Sequence, residues 1–162
     1  MNIVKTAYEK ALHYFQTSDG KVWDSTGTSG TVDNSAIKNK GSSLDGSYSY
    51  HNHPSGETLS PDDLLRLTER NKQLSITAIG NNSIGYCMIK TGNANSAAYN
   101  AFLTIKTNTQ IFGGGRYSYN DIKGFEFSML PDLFGKEIIG ELQKFNSDCV
   151  KGGEQYGFKY IE

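Results

Sequence analysis

No run of apolar residues in this chain approaches the ~20 that a membrane-spanning helix needs, so no such span is expected. Neither sign of charge dominates: 16 Lys and Arg stand against 17 Asp and Glu, for a net charge of -1. That balance argues against a broad nucleic-acid-binding face, which requires clustered basic residues, while leaving room for a small local groove. Cysteine is scarce. Cys87 and Cys149 are far apart and form no CxxC pair, which excludes a disulfide-dense scaffold. One bridge is conceivable, but two free buried thiols in a reducing compartment fit better. The first residues, Met1 to Tyr14, contain Lys5, Glu9 and Lys10 and no apolar stretch of the signal-peptide kind. Taken as given, the chain is expected to be soluble and cytoplasmic, with no membrane partner.

What is present suits a folded α+β protein. The 162 residues are enough for one domain with a real core, and residues 1–162 are read as a single domain. Aromatic residues make up 12% of the chain and are spread along its whole length, which argues against disorder. Eighteen glycines and a mean hydropathy of -0.51 point to long polar loops around a modest core.

Residues 3–13 fit a short helix or the lead into a strand. Ser18-Asp19-Gly20 between His13–Thr17 and Lys21–Trp23 signals a hairpin, because glycine tolerates the positive φ of a tight turn. Residues 25–30 and 38–46 read as loops, with one helical turn between them at 35–38. Residues 47–53 alternate like a strand that Pro54 ends. Ser60 then opens a helix, with Pro61 at its first position and Asp62 and Asp63 in its first turn, running to about Asn71. Strands are expected at 75–79 and 85–89, a helix within 96–112, a break at Gly113–Gly115, a last helix from about Pro131 to Asn146, and a final strand at 158–161. The composite is a small mixed sheet flanked by helices.

Chemistry concentrates at His51-Asn52-His53-Pro54 and Ser60-Pro61-Asp62-Asp63. Side chains at i and i+2 of a strand share a face, so His51 and His53 project side by side, roughly 6.5 Å apart at Cα. Two imidazoles so placed can converge on one zinc ion. The chain turns back into the helix at Ser60, which brings Asp63 within reach as third ligand and leaves a fourth position open. Two histidines and a carboxylate with an open position are a catalytic pattern, whereas structural zinc sites are closed by cysteine. Each half has an ordinary explanation alone: HxH is common in strands, and Ser-Pro-Asp-Asp is a good helix start. Their combination within 13 residues carries the argument.

These residues resemble the metal motif of the JAB/MPN (JAMM) metallopeptidases: H-x-H-P, a spacer, then S-x-x-D. The spacer between His53 and Ser60 is one residue shorter than the family's common length, and the Ser-to-Asp spacing is intact. His-Asn-His-Pro-Ser-Gly also resembles RadC-type proteins and JAB-like domains of phage and mobile-element proteins. The likeness is residue by residue over 47–70 and elsewhere extends only to element order. It implies a JAB/MPN, cytidine-deaminase-like architecture, one zinc ion per chain on His51, His53 and Asp63, and a hydrogen bond from Ser60 to a tetrahedral oxyanion. It further implies cleavage of a peptide or isopeptide bond in a protein substrate, one whose extended tail can pair with a sheet edge. The family's upstream general base is a glutamate, and Glu9 is the only one before His51. An exposed helix position accounts for Glu9 equally well.

Other signals are weaker. His13 reads as a core or edge-strand histidine before it reads as a fourth ligand, and Glu57 as a solvated loop residue. Gly113–Gly115 precede no GK[ST], so they form no phosphate loop. The letters HNH lack the dispersed ββα frame of the nuclease class named for them, and the HxE and PCxxC of zinc deaminases are absent. Two other classes stay open: a RadC-like factor acting around DNA, which salt-dependent DNA binding without peptidase activity would favour, and an inactive JAB-fold interaction module, for which replacing the base changes nothing.

Overall fold

A computed structural model describes the backbone of residues 12–16 and 22–26, and backbone with side chains for residues 48–53, 58–80 and 83–162. Glu9, Glu57, the helical turn at 35–38 and the hairpin's own turn lie outside these residues. The hairpin strands are β1 (Leu12–Gln16) and β2 (Val22–Thr26), antiparallel, with Gln16 opposite Val22 and Leu12 opposite Thr26. Ser25 and Thr26, read from sequence as the start of a loop, continue β2, because His13 and Leu12 offer them backbone partners.

The remaining strands are β3 (Tyr48–His53), β4 (Ser75–Gly80), β5 (Gly85–Lys90) and β6 (Phe158–Ile161). One mixed sheet results, in the order β2-β1-β3-β4-β5-β6. All its neighbours are antiparallel except β3 and β4, where His51 pairs with Ala78 and His53 with Gly80. Parallel neighbours cannot be joined by a tight turn and need a crossover, here helix α1 (Pro61–Glu69). The expected strands at 75–79, 85–89 and 158–161 are thus present.

Leu64 and Leu67 of α1 are fully buried, and Leu65 is half-buried. The helix stops two residues before the expected end: Arg70 leaves helical geometry at φ -91°, ψ 88°. Its guanidinium holds Gln73, whose amide donates to Ser49 of β3. Helix α2 (Ser96–Asn108) starts where Asn95 accepts from the Ala98 N–H. Gly113, Gly114 and Gly115 break the chain with φ of 62°, 73° and 91°, values that side chains bearing a Cβ rarely adopt. A short α3 (Tyr119–Ile122) follows.

The helix expected from Pro131 to Asn146 is two helices, α4 (Leu130–Phe134) and α5 (Ile138–Gly152). Gly135, at φ 105°, ends α4 while its N–H closes the last turn onto the Pro131 carbonyl. The apolar spacing runs through the break, which is why the sequence reads as continuous.

The core lies between the sheet and the helices: Leu59, Leu64 and Leu67, Ile76, Ala78 and Met88 of the sheet, Tyr99 and Leu103 of α2, Phe145, Cys149 and Val150 of α5, and Phe158 of β6. Tyr99 packs against Phe158 at 4.8 Å between ring centroids, the rings tilted by 52°, and satisfies its buried hydroxyl on the Cys149 carbonyl at 2.6 Å. Among the described residues no helix is long and apolar enough to cross a membrane.

Candidate metal centre

β3 ends at His53 and lies between antiparallel β1 on one side and parallel β4 on the other. The pleat puts His51 and His53 on one face. Their rings meet at 67° with centroids 4.7 Å apart, and their Nε2 atoms are 2.9 Å from each other. The crossover returns α1 to the end of β3, with Asp63 in its first turn. Asp63 Oδ1 lies 3.2 Å from His51 Nε2 and Oδ2 3.4 Å from His53 Nε2.

The three ligand atoms all lie within 4.8 Å of one another, and among the described residues no further His, Cys, Asp or Glu joins them. His51 and Asp63 are buried and His53 is half-buried. Burial pushes the Asp63 carboxyl up, but attraction and hydrogen bonding to His51 and His53 outweigh it and hold the group well below the usual carboxylate range. Asp63 is therefore a buried anion facing two ring nitrogens.

That donor set fits a metal ion. Four-coordinate zinc with bonds of ~2.0–2.1 Å separates its ligand atoms by about 3.3 Å, close to the contacts of 2.9, 3.2 and 3.4 Å here. A 2.9 Å contact between two imidazole nitrogens needs a proton between them, whereas a cation satisfies both nitrogens and the carboxylate together. Two imidazoles favour a transition metal over magnesium or calcium, which prefer oxygen.

Ser60 holds Asp63 in place. Its N–H and its hydroxyl both donate to Asp63 Oδ2 at 2.9 Å, and the Asp63 N–H donates back to Ser60 Oγ at 3.2 Å. This reciprocal cap satisfies the first amides of α1 and orients the carboxylate before any ion arrives.

The structure thus brings together four of the five site residues picked out from sequence: His51, His53, Asp63 and Ser60. Glu9 falls outside the described residues. His13 stands opposite His51 in the β1–β3 register. Sequence reasoning passed over Asp62, Tyr119 and Lys123. The Tyr119 hydroxyl donates to Asp62 Oδ2 at 3.3 Å, and Lys123 Nζ meets Asp62 Oδ1 at 3.1 Å. Both partners come from α3 and its end, some 60 residues away, and nothing local in the sequence announces them. A cleft of about 280 Å³ lined by Gly113, Phe134, Lys136 and Glu141 lies elsewhere and contains none of these groups. Compared with known protein families, with curated proteins and with solved structures, the chain matches none.

Proposed function

We propose that this chain is a zinc-dependent hydrolase of the JAB/MPN metallopeptidase type, cleaving a peptide or isopeptide bond. The observation that carries the reading is the convergence of His51, His53 and Asp63, with Ser60 on the same helical turn. The motif spacing, the mixed sheet and the β3–α1–β4 crossover are compatible with the JAB/MPN, cytidine-deaminase-like architecture.

His51 Nε2, His53 Nε2 and one Asp63 oxygen would hold the ion, one per chain. When bound, zinc supplies Lewis acidity toward a carbonyl and brings the pKa of water down to about 7. Ser60 Oγ, now donating to Asp63 Oδ2, turns its proton toward the oxyanion of a tetrahedral intermediate while the Ser60 N–H keeps hold of Asp63. Glu9 is assigned the proton transfer to the leaving nitrogen. The substrate is a protein or peptide.

Metal analysis of protein purified with zinc present tests the reading. About one zinc per chain is expected in the wild type and none in His53→Ala. Wild type is also expected to cleave fluorogenic peptides or a lysine-linked isopeptide, and His53→Ala is not. Absence of zinc from the wild type overturns the proposal.

A further inference from the structure

The phenol of Tyr119 reaches the metal centre from the far half of the chain. Its hydroxyl donates to Asp62 Oδ2 at 3.3 Å, and Asp62 adjoins Asp63 in the turn that the Ser60 hydroxyl caps. Asp62 is gripped a second time by Lys123, one turn along from Tyr119. The first turn of α1 is thus fastened on two sides: by its own cap, and by a pair of groups from α3 and its end.

Packing, not the site, fixes where that phenol sits. Tyr119 is 5% exposed, and its ring stacks on Phe145 of α5 at 5.5 Å and 20°. Ile122 beside it is buried, and Ser118 and Asp121 cap α3 reciprocally. A phenylalanine would meet every one of these packing contacts. What tyrosine adds is one hydroxyl, placed on Asp62 in the first turn of α1. Burial and the carboxylates of Asp62 and Asp63 raise its pKa, so it remains an O–H donor aimed at that turn.

We propose that Tyr119 is a positioning residue of the metal centre, fixing through Asp62 the turn of α1 that presents Asp63 to His51 and His53. This rests on the zinc-site reading above. Groups that orient a ligand from behind it commonly govern metal affinity by 10–100-fold. Because Tyr119 acts on Asp63 through its neighbours, the lower end of that range is expected.

The experiment compares wild type and Tyr119→Phe by zinc titration against a chromophoric chelator and by the visible spectrum of the cobalt-substituted protein. Tyr119→Phe should bind zinc roughly tenfold more weakly with an altered cobalt spectrum, at unchanged far-ultraviolet circular dichroism. Unchanged affinity and spectrum, even with a lower melting temperature, would reduce Tyr119 to a structural residue and overturn the proposal. A wild type that binds no zinc removes the metal-site reading itself, and this proposal with it. If Tyr119→Phe does not fold, Asp62→Ala on the exposed side of the contact takes its place, measured at low and high salt. A loss of affinity that persists at high salt supports positioning. A loss that salt abolishes is through-space charge and counts against it, as does no loss at all.

Discussion

His51 and His53 face each other with Nε2 atoms 2.9 Å apart, and Asp63 spans them, one carboxylate oxygen to each ring. Strand pleat accounts for the first contact and the crossover for the second, so the cluster is assembled only when β3 and α1 are both formed. An ion bound there is therefore linked to folding.

Zinc should accordingly raise the melting temperature of the wild type. At one hundred times the dissociation constant, the stabilisation is about 2.7 kcal/mol if the unfolded chain binds negligibly. For a chain of this size that corresponds to a rise of roughly 5–10 °C. Chelator should reverse the rise, and His53→Ala should show none. Differential scanning fluorimetry across zinc concentrations decides it, and an equal rise in wild type and variant would mean binding elsewhere.

A pair of matched serines separates capping from site chemistry. Ser118 and Asp121 repeat the geometry of Ser60 and Asp63: the Ser118 N–H and hydroxyl donate to Asp121 Oδ2 at 2.8 and 3.0 Å, and the Asp121 N–H returns to Ser118 Oγ at 3.3 Å. Each Ser→Ala change should cost about 1 kcal/mol of stability, the usual worth of an N-cap. Only Ser60→Ala should also lower hydrolytic turnover, by roughly 10²–10³-fold if its hydroxyl serves the oxyanion. Denaturant melts and turnover on both variants would show it. Equal loss of turnover in the two would reduce Ser60 to a helix cap.

The same comparison shows what was legible beforehand. Ser-x-x-Asp is a helix start wherever it occurs, and the sequence distinguishes 60–63 from 118–121 only because His-x-His precedes the former at crossover distance. The ligands were readable because they lie within 13 residues on elements of strong period. The second hold on α1 was not, since Tyr119 and Lys123 meet Asp62 only through tertiary folding. The split between α4 and α5 escaped for a different reason: one glycine with positive φ outweighs an apolar pattern that continues across it.

Lys90, at the end of β5, gives a pH signature independent of the site. Its ammonium donates to the Arg70 carbonyl just past α1 at 2.7 Å, but burial lowers its pKa to about 8. Below about 8 the lysine is protonated whether folded or unfolded, and its buried charge is a constant cost. Between there and the ordinary value near 10.4, the unfolded chain holds the extra proton, so this contribution to stability rises with pH. The difference in unfolding free energy between wild type and Lys90→Met should therefore move in favour of the wild type from pH 8 to 10. Taking the difference removes the opposing influence of Tyr99 and Tyr119, whose pKa values burial raises. A difference flat across that range would mean that Lys90 keeps its ordinary pKa in the folded protein.

The two thiols should react very differently. Both are free, as expected, but only Cys149 is fully buried, while Cys87 on β5 is half-exposed. Cys149 sits on the core face of α5, where burial pushes its thiol up to about 12 despite the opposing pull of Lys106. Thiolate is the reactive form, so at pH 8 Cys149 lacks both the charge state and the access that alkylation requires. Iodoacetamide should add once per native chain, at Cys87, and reach Cys149 only through local or global opening of the helix. Mass spectrometry of the labelled peptides over time would show one fast adduct, with the second appearing when denaturant is added. Comparable labelling rates at the two positions in native buffer would mean that α5 does not pack as described, and the core contact from Tyr99 to the Cys149 carbonyl would be lost with it.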